Sequence, residues 1–430
     1  MIGMDNLSVN SKGHLCIGGV DTVDIAAEYG TPVYVMDEDT VRRACREFKA
    51  SIEENYGGGM VCYATKAFCC KEMCRIMKDE GIGLDTVSGG EIYTALSVGF
   101  PAERIVFTSN NKKDEEIVYA LENGVGRITC DNIEELRRIS SIAVGMGKTA
   151  RVVLRLKPGV EAHTFEAVMT GQIDSKFGFA IETGEALTAA KECSALPGIE
   201  LSGVHCHIGS QIHDIAPFEK AAEVMIDFIG RLRDEGITIK DLSLGGGFGI
   251  KYTEKDIPVP YGDYMKRVSA RVKECCRAKD LEVPFMMIEP GRSVAAPAGL
   301  TLYTVGSRKT IPDIRTYIGI DGGMPDNPRY ALYKSEYTVT VANKANEPKD
   351  EIITLAGRTC ESGDLIGENM PLQHAEEKDI VAVLSTGAYC YSMASHYNRV
   401  PNAPVVMVKD KKTRLIVRRE TYEDVARNDI

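Results

Sequence analysis

Between about Met60 and Arg292 the chain alternates short apolar, β-rich runs with stretches whose apolar positions recur at three-to-four spacing. Eight runs predict strands: MVCYAT (60–65), IGLDTV (82–87), RIVFTS (104–109), RITC (127–130), ARVVLRL (150–156), LSGVHCH (201–207), DLSLGG (241–246) and FMMIEP (285–290). The stretches between them, such as EEIVYALENG, predict helices, and Gly81, Gly99, Gly124 and Gly236 fall where a left-handed cap would end one. This alternation implies a parallel sheet. Eight such strands in roughly 230 residues, with no dinucleotide-binding fingerprint after the first, predict a closed (β/α)8 barrel of the TIM type rather than an open sheet.

Past residue 293 the rhythm changes. LTLYTVGSRK, RTYIGID, EYTVTVANK, EIITLAG, DIVAVLST and RLIVRRE are short β runs divided by turns, which predicts a second, mostly antiparallel β domain. HLCIGG, before a short helix, and TPVYVMD precede the barrel and can add a strand to that β domain. The expected division is a barrel over 36–292 and a β domain built from 1–35 plus 293–430.

Composition narrows the class. With 44% hydrophobic and 26% charged residues, the 430-residue chain can bury a large core, and extensive disorder is excluded. The formal net charge of −11 and the lack of any long like-charge run argue against a nucleic-acid or membrane partner. No apolar stretch approaches the roughly 20 residues that span a bilayer, and the N-terminus lacks the order of a signal peptide, so a cytoplasmic location is expected. The 13 cysteines are odd in number and lie in apolar segments, which predicts reduced thiols rather than a disulfide framework. Histidine and cysteine spacing fits no zinc site, so no metal is expected.

In a barrel of this kind the strand C-termini carry the chemistry. Lys66 follows the first strand in YATKA. A partly desolvated lysine can form an imine with a carbonyl compound, although a snorkelling strand-end lysine would look the same. His205 and His207, two apart, share a strand face, as metal ligands, a stacking or acid/base pair, or satisfied core histidines would. Ser210, just beyond, is a candidate donor to an anion. In GGGFG (245–249) the bare backbone of Gly246 and Gly247 can approach a phosphate, although a tight turn would also use glycine. Glu289 ends the apolar run FMMIE, where a carboxylate is expected to be paired or functional, and Pro290, Gly291 and Arg292 follow. A lysine, a ring, an amide cradle and a carboxylate at strand ends one, six, seven and eight together match the needs of pyridoxal phosphate.

Through YATKA, GLDTVSGGE, TGQIDSKFGF, GVHCHIGSQI, GGGFG, IEPGR, CESGD and GAYCYSM, nearly the whole chain resembles the diaminopimelate decarboxylases of the alanine-racemase-like pyridoxal phosphate enzymes. The resemblance implies that Lys66 forms the imine with pyridoxal 5'-phosphate and that His207 stacks on its ring. Ser210, Gly246, Gly247, the stretch Glu289, Pro290, Gly291 and Arg292, and Tyr389 would contact the cofactor, with Glu289 facing the pyridine nitrogen. Cys360 would be the proton donor after carbon dioxide leaves, and Glu361 would hold the substrate's distal ammonium. Arg292, Arg329 and Tyr333 would grip its distal carboxylate, and Tyr389 would touch both phosphate and substrate. Taken alone, Cys360 reads as inert packing, Glu361 as a solvated charge and Tyr389 as a core aromatic.

The chain departs from the family at MPDNPRYALY, where the usual pattern is MND followed by Arg-Pro-Ala-Leu-Tyr. Pro325 replaces asparagine and Tyr330 replaces proline. The resemblance further implies a homodimer in which CESGD of one subunit enters the site of the other. The implied reaction is decarboxylation of meso-2,6-diaminopimelate to L-lysine. A sister decarboxylase for ornithine, lysine, arginine or carboxynorspermidine is the alternative if no distal carboxylate is gripped. A non-catalytic binding relative would be expected to lack Lys66 or Cys360, and both are present.

Overall fold

A computed structural model describes residues 5–160 and 175–430, so residues 170–174 of the TGQIDSKFGF segment lie outside the described residues. The chain divides into two compact units: Ala44–Gly249 with Pro258–Gly291, and Met1–Arg43 with Ile250–Ile257 and Arg292–Ile430.

All eight expected strands are present in the first unit, as Gly59–Ala64, Gly83–Thr86, Ile105–Thr108, Arg127–Cys130, Ala150–Lys157, Ile199–Cys206, Asp241–Ser243 and Phe285–Ile288. Each pairs in parallel with the next and the eighth pairs with the first, which closes the barrel. Helices such as Lys71–Asp79, Asp114–Glu122 and Ala216–Asp234 connect them. Gly81, Gly99, Gly124 and Gly236 all have φ near +70 to +80° (69, 68, 72 and 80°), the left-handed conformation that ends a helix without a Cβ penalty.

Strand alternation decides what fills the barrel, because every second side chain points inward. At the strand starts Asp241 accepts from Arg127 Nε and Arg151 Nη2, both at 2.8 Å. Gly203 leaves the room: a Cβ there would stand 2.6 Å from the Asp241 Cβ. Cys62, Val106 and Met287 form an apolar cluster in the interior. Two residues on from Asp241 the same parity brings Ser243 inward, and two on from Met287 it brings Glu289. The inward set therefore turns polar again at the strand ends.

In the second unit Val33–Asp37 pairs antiparallel with Gly299–Ile311 and parallel with Val405–Lys409. Gly299–Ile311 also pairs antiparallel with Arg315–Ile320 and Ile380–Leu384, and Glu351–Ala356 pairs antiparallel with Leu365–Leu372. The sheet is mostly antiparallel. Leu15, Ile17, Ile25, Val33, Val35, Leu300, Leu302, Leu384, Val406 and Val408 make one buried cluster beneath it. Among the strands not expected from sequence are Leu365–Leu372 and Val405–Lys409 in this sheet and the short Leu7–Val9 and Val20–Asp21; Leu365–Leu372 contains Gly367, Asn369 and Pro371, which depress the local β signal.

The 36–292 boundaries need correction. Residues 36–43, 250–257 and Arg292 belong to the β unit. Val33–Asp37 is hydrogen-bonded between two β-unit strands, and the 250–257 segment is held there by the Thr338 hydroxyl, which donates to the Tyr252 carbonyl at 2.9 Å. All 13 cysteines are free thiols, and of these Cys360 is exposed. Among the described residues no helix is long and apolar enough to cross a membrane.

Candidate active site

The polar upper end of the barrel centres on Glu289, which is 7% exposed. Its Oε2 lies 3.0 Å from His205 Nε2, and its Oε1 accepts from Ser243 Oγ at 2.6 Å. Burial alone would raise this carboxyl, but His205, Ser243 and the Lys66 charge outweigh burial and hold it well below the usual carboxylate range. Glu289 is thus a buried anion. Pairing with it requires the His205 proton on Nε2, and His205 Nδ1 makes no hydrogen bond to the described protein.

His207 lies just past the sixth strand. The Gly246 N–H donates to its Nδ1 at 3.3 Å, so that nitrogen is unprotonated. Burial, then the positive charges of Lys66 and Arg155, push its pKa well below the ordinary histidine value. It is a neutral ring. Neither histidine belongs to a group of three candidate metal ligands among the described residues.

Lys66 sits in the single turn Thr65–Ala67 that follows the first strand. That turn is stitched to its neighbours: Thr65 Oγ1 donates to the Asp85 carbonyl at 2.9 Å and the Ala64 amide to the Pro290 carbonyl at 3.0 Å. A Cβ on Gly291 would stand 3.0 Å from Ala64 Cβ, so the glycine in IEPGR allows the eighth strand end to close on the first.

The seventh strand end has no space for side chains. A Cβ on Gly246 would strike the Glu289 carbonyl oxygen, and one on Gly247, at φ 107°, would strike the Gly209 carbonyl oxygen. The Gly245 amide donates to Ser243 Oγ at 3.2 Å and the Gly246 amide to His207 Nδ1, which among the described residues leaves the Gly247 amide for an anion. Ser210 follows on the neighbouring sixth strand end.

Three residues here were not singled out from sequence. Ser243 is the hydroxyl on Glu289. Asp85, 1% exposed, has an Oδ1 without a donor among the described residues, and burial together with the nearby Glu289 charge pushes its pKa up to about 7. Arg155, 8% exposed, lies over the Phe177 ring at 4.1 Å and 3.8 Å from Asp131. The available signal was parity: each is polar, inward-facing and set in an otherwise apolar strand.

In the β unit Arg292 Nη1 donates to Tyr252 OH at 2.7 Å, and its guanidinium lies 4.7 Å from the Tyr389 ring centre. Tyr389 holds φ at 59°, a conformation rare for a bulky residue and one that needs surrounding support. Arg329 opens the short helix Arg329–Tyr333, with its guanidinium 4.9 Å from the Tyr252 ring centre and Nη1 donating to Tyr337 OH at 2.5 Å. The two arginines therefore share Tyr252. Tyr333 stands one turn on from Arg329 and is half-buried. Tyr252 and Tyr337 carried no motif and were not read from sequence.

Cys360 and Glu361 are exposed on a separate loop of the same unit. Asp364 ties that loop down, accepting from the Thr359 amide at 2.7 Å and the Met324 amide at 2.6 Å. The last residue of CESGD is therefore a structural anchor, while Cys360 and Glu361 project from the loop it secures.

The barrel residues fit pyridoxal phosphate. A carboxylate held ionised in a buried position suits a protonated pyridine nitrogen, a neutral imidazole suits a stacked ring, a backbone cleared of side chains suits a phosphate, and a lysine stands at the adjacent strand end.

Such a barrel defines a pyridoxal phosphate enzyme. The family model "Pyridoxal-dependent decarboxylase, pyridoxal binding domain" matches residues 38–296. The diaminopimelate decarboxylase of Halalkalibacterium halodurans is 47% identical over 423 residues, 98% of this chain and 96% of that protein. That of Bacillus subtilis is 45% identical over 422 residues, with the same shares covered. A crystal structure of diaminopimelate decarboxylase from M. jannaschii in complex with L-lysine superposes with a TM-score of 0.92 at 35% identity, covering 100% of this chain and 99% of that one. The chain belongs to the diaminopimelate decarboxylase family of pyridoxal-dependent decarboxylases.

Proposed function

We propose that the chain catalyses the pyridoxal phosphate-dependent decarboxylation of meso-2,6-diaminopimelate to L-lysine and carbon dioxide, as a cytoplasmic homodimer. Bound pyridoxal phosphate supplies the sink for the electrons released as carbon dioxide departs. Lys66 anchors it, Glu289 keeps a proton on the pyridine nitrogen, and His207 offers a neutral face to the ring. Ser210, Gly246, Gly247 and Tyr389 serve the phosphate, with Pro290 and Gly291 shaping the approach. Cys360 of the partner delivers the proton to the α-carbon.

The reading of the substrate is carried by one observation, the two guanidiniums that share Tyr252. Arg292 and Arg329 give a pair of cations able to bind a carboxylate in a bidentate or bridging manner, with Tyr333 nearby in the helix that Arg329 opens. A diamine precursor such as lysine or ornithine has no distal carboxylate to satisfy them. Glu361 supplies the opposite charge for the distal ammonium.

The test is carbon dioxide release from a panel of amino acids by the cofactor-loaded protein. Diaminopimelate is expected to exceed lysine, ornithine, arginine and carboxynorspermidine in kcat/KM. Preference for any of the others would overturn the substrate assignment.

A further inference from the structure

The segment after GAYCYSM, SHYNR (395–399), has no place in the chemistry described so far, yet its backbone is under strain. Asn398 and Arg399 follow one another at φ 52° and 58°, both left-handed and neither glycine. Consecutive left-handed residues are costly for L-amino acids, and asparagine tolerates the conformation better than most.

Several contacts hold the segment in this shape. The Arg399 amide donates to the His396 carbonyl at 2.8 Å, and its guanidinium reaches Asp429 Oδ2 at 2.7 Å and the Val425 carbonyl at 3.2 Å. His396 Nε2 lies 2.6 Å from Glu420 Oε2, an oxygen that also accepts from the Asn402 amide at 2.9 Å. The Ser395 amide donates to the Pro325 carbonyl at 3.0 Å. Each end of the turn is tied to a different part of the β unit.

The strained conformation brings Asn398 Oδ1 onto the Cys360 amide, which donates to it at 2.9 Å, while Tyr397 OH approaches the Cys360 carbonyl at 3.5 Å. Asp364 fixes the preceding residue through the Thr359 amide. Cys360 is therefore gripped through its backbone while its side chain stays exposed. A thiol that must reach a substrate cannot be held by packing, so its backbone must be held instead.

We propose that Asn398 is a positioning residue for Cys360, setting the loop backbone from which the thiol delivers its proton. The proposal rests on the reading of Cys360 as proton donor. It accounts for the Asn398 conformation: left-handed at φ 52°, its short side chain turns the amide oxygen back onto the Cys360 amide.

The test uses full-length, cofactor-loaded Asn398→Gly and Asn398→Asp with diaminopimelate. Glycine accepts the left-handed backbone but removes the acceptor, whereas aspartate keeps an acceptor of the same reach. Asn398→Gly is expected to lower kcat about tenfold with KM within about twofold, and Asn398→Asp to restore kcat to within about twofold of the parent. Hydrogen exchange of the Cys360 amide is expected to be slow in the parent and Asn398→Asp, and faster in Asn398→Gly. An unchanged kcat in Asn398→Gly, a change confined to KM, or unaltered exchange would overturn the proposal. Cys360→Ala in the same assay separates the two readings. If it keeps the parent's kcat, the proton-donor reading falls and the proposal with it. If it loses activity while Asn398→Gly does not, only the role of Asn398 falls.

Discussion

Ser243 Oγ donates to Glu289 Oε1 at 2.6 Å, so a hydroxyl from the seventh barrel strand helps keep the carboxylate after the eighth ionised. Hydrogen bonds to charged groups contribute about 1.5–3 kcal/mol, which corresponds to roughly one to two decades in an equilibrium. Ser243→Ala is expected to reduce kcat about tenfold, and Glu289→Gln, which removes the charge itself, by at least about a hundredfold. Steady-state carbon dioxide release checks both, with circular dichroism confirming the fold. Equal effects from the two variants would contradict a supporting role for Ser243.

Most of this arrangement was legible in the sequence at the level of elements, and much less at the level of partners. The eight strands and the four glycine caps followed from periodicity, because barrel strands bury their apolar side chains regardless of what else is near. Lys66 and Glu289 were readable because a charge at the end of an apolar run is unusual. Ser243, Asp85 and Arg155 were not, since their meaning depends on neighbours distant in the chain, Glu289 for the first two and Asp131 and Phe177 for the third, that only the closed barrel brings together. The same holds for Tyr252, whose segment belongs to the β unit although it follows the seventh barrel strand in the chain. Residues 36–43 were assigned to the barrel from sequence; Met36 and Asp37 end the strand Val33–Asp37 and residues 38–43 open the helix Glu38–Tyr56, so the expected boundary cut through a strand.

Asp85 gives a pH signature. Burial and the Glu289 charge raise its folded pKa from 3.8 to about 7, so between these values the folded state binds a proton that the unfolded state has released. Its contribution to stability is therefore full below about pH 4 and is lost as pH rises through about 7. Asp85→Asn, neutral at every pH, is expected to raise the Tm of the cofactor-free protein by a few degrees at pH 8 and to leave it close to the parent at pH 4. Scanning calorimetry at the two pH values decides it; a lower Tm for the variant at pH 8 would contradict the assignment.

At the other end of the barrel the buried Asp241 neutralises the buried Arg127 and the partly exposed Arg151. Removing the carboxylate leaves two guanidiniums without their shared partner, and breaking a buried pair costs about 3–5 kcal/mol. Asp241→Ala is expected to lower the denaturant midpoint accordingly, and to leave KM for diaminopimelate unchanged in the fraction that remains folded. Urea unfolding and kinetics below the transition test the two halves of this statement.

Arg329 is buried beside Tyr252 and Tyr337, and the proposed function has it bind the distal carboxylate. Arg329→Gln is expected to raise KM for diaminopimelate by about 10- to 100-fold, the value of a charge-assisted contact, and to narrow the preference for diaminopimelate over lysine. Competition between the two substrates measures this directly. An unchanged preference would move the carboxylate grip elsewhere.

The central claim is that the barrel end formed by Lys66, His207, the glycine turn and Glu289 holds pyridoxal phosphate on Lys66. Borohydride reduction of the cofactor-loaded protein, followed by peptide mapping by mass spectrometry, tests it in one measurement. The reduced cofactor is expected on the peptide containing Lys66 and to be missing from Lys66→Ala. Label on a different lysine, or no label on the parent protein, would contradict the account.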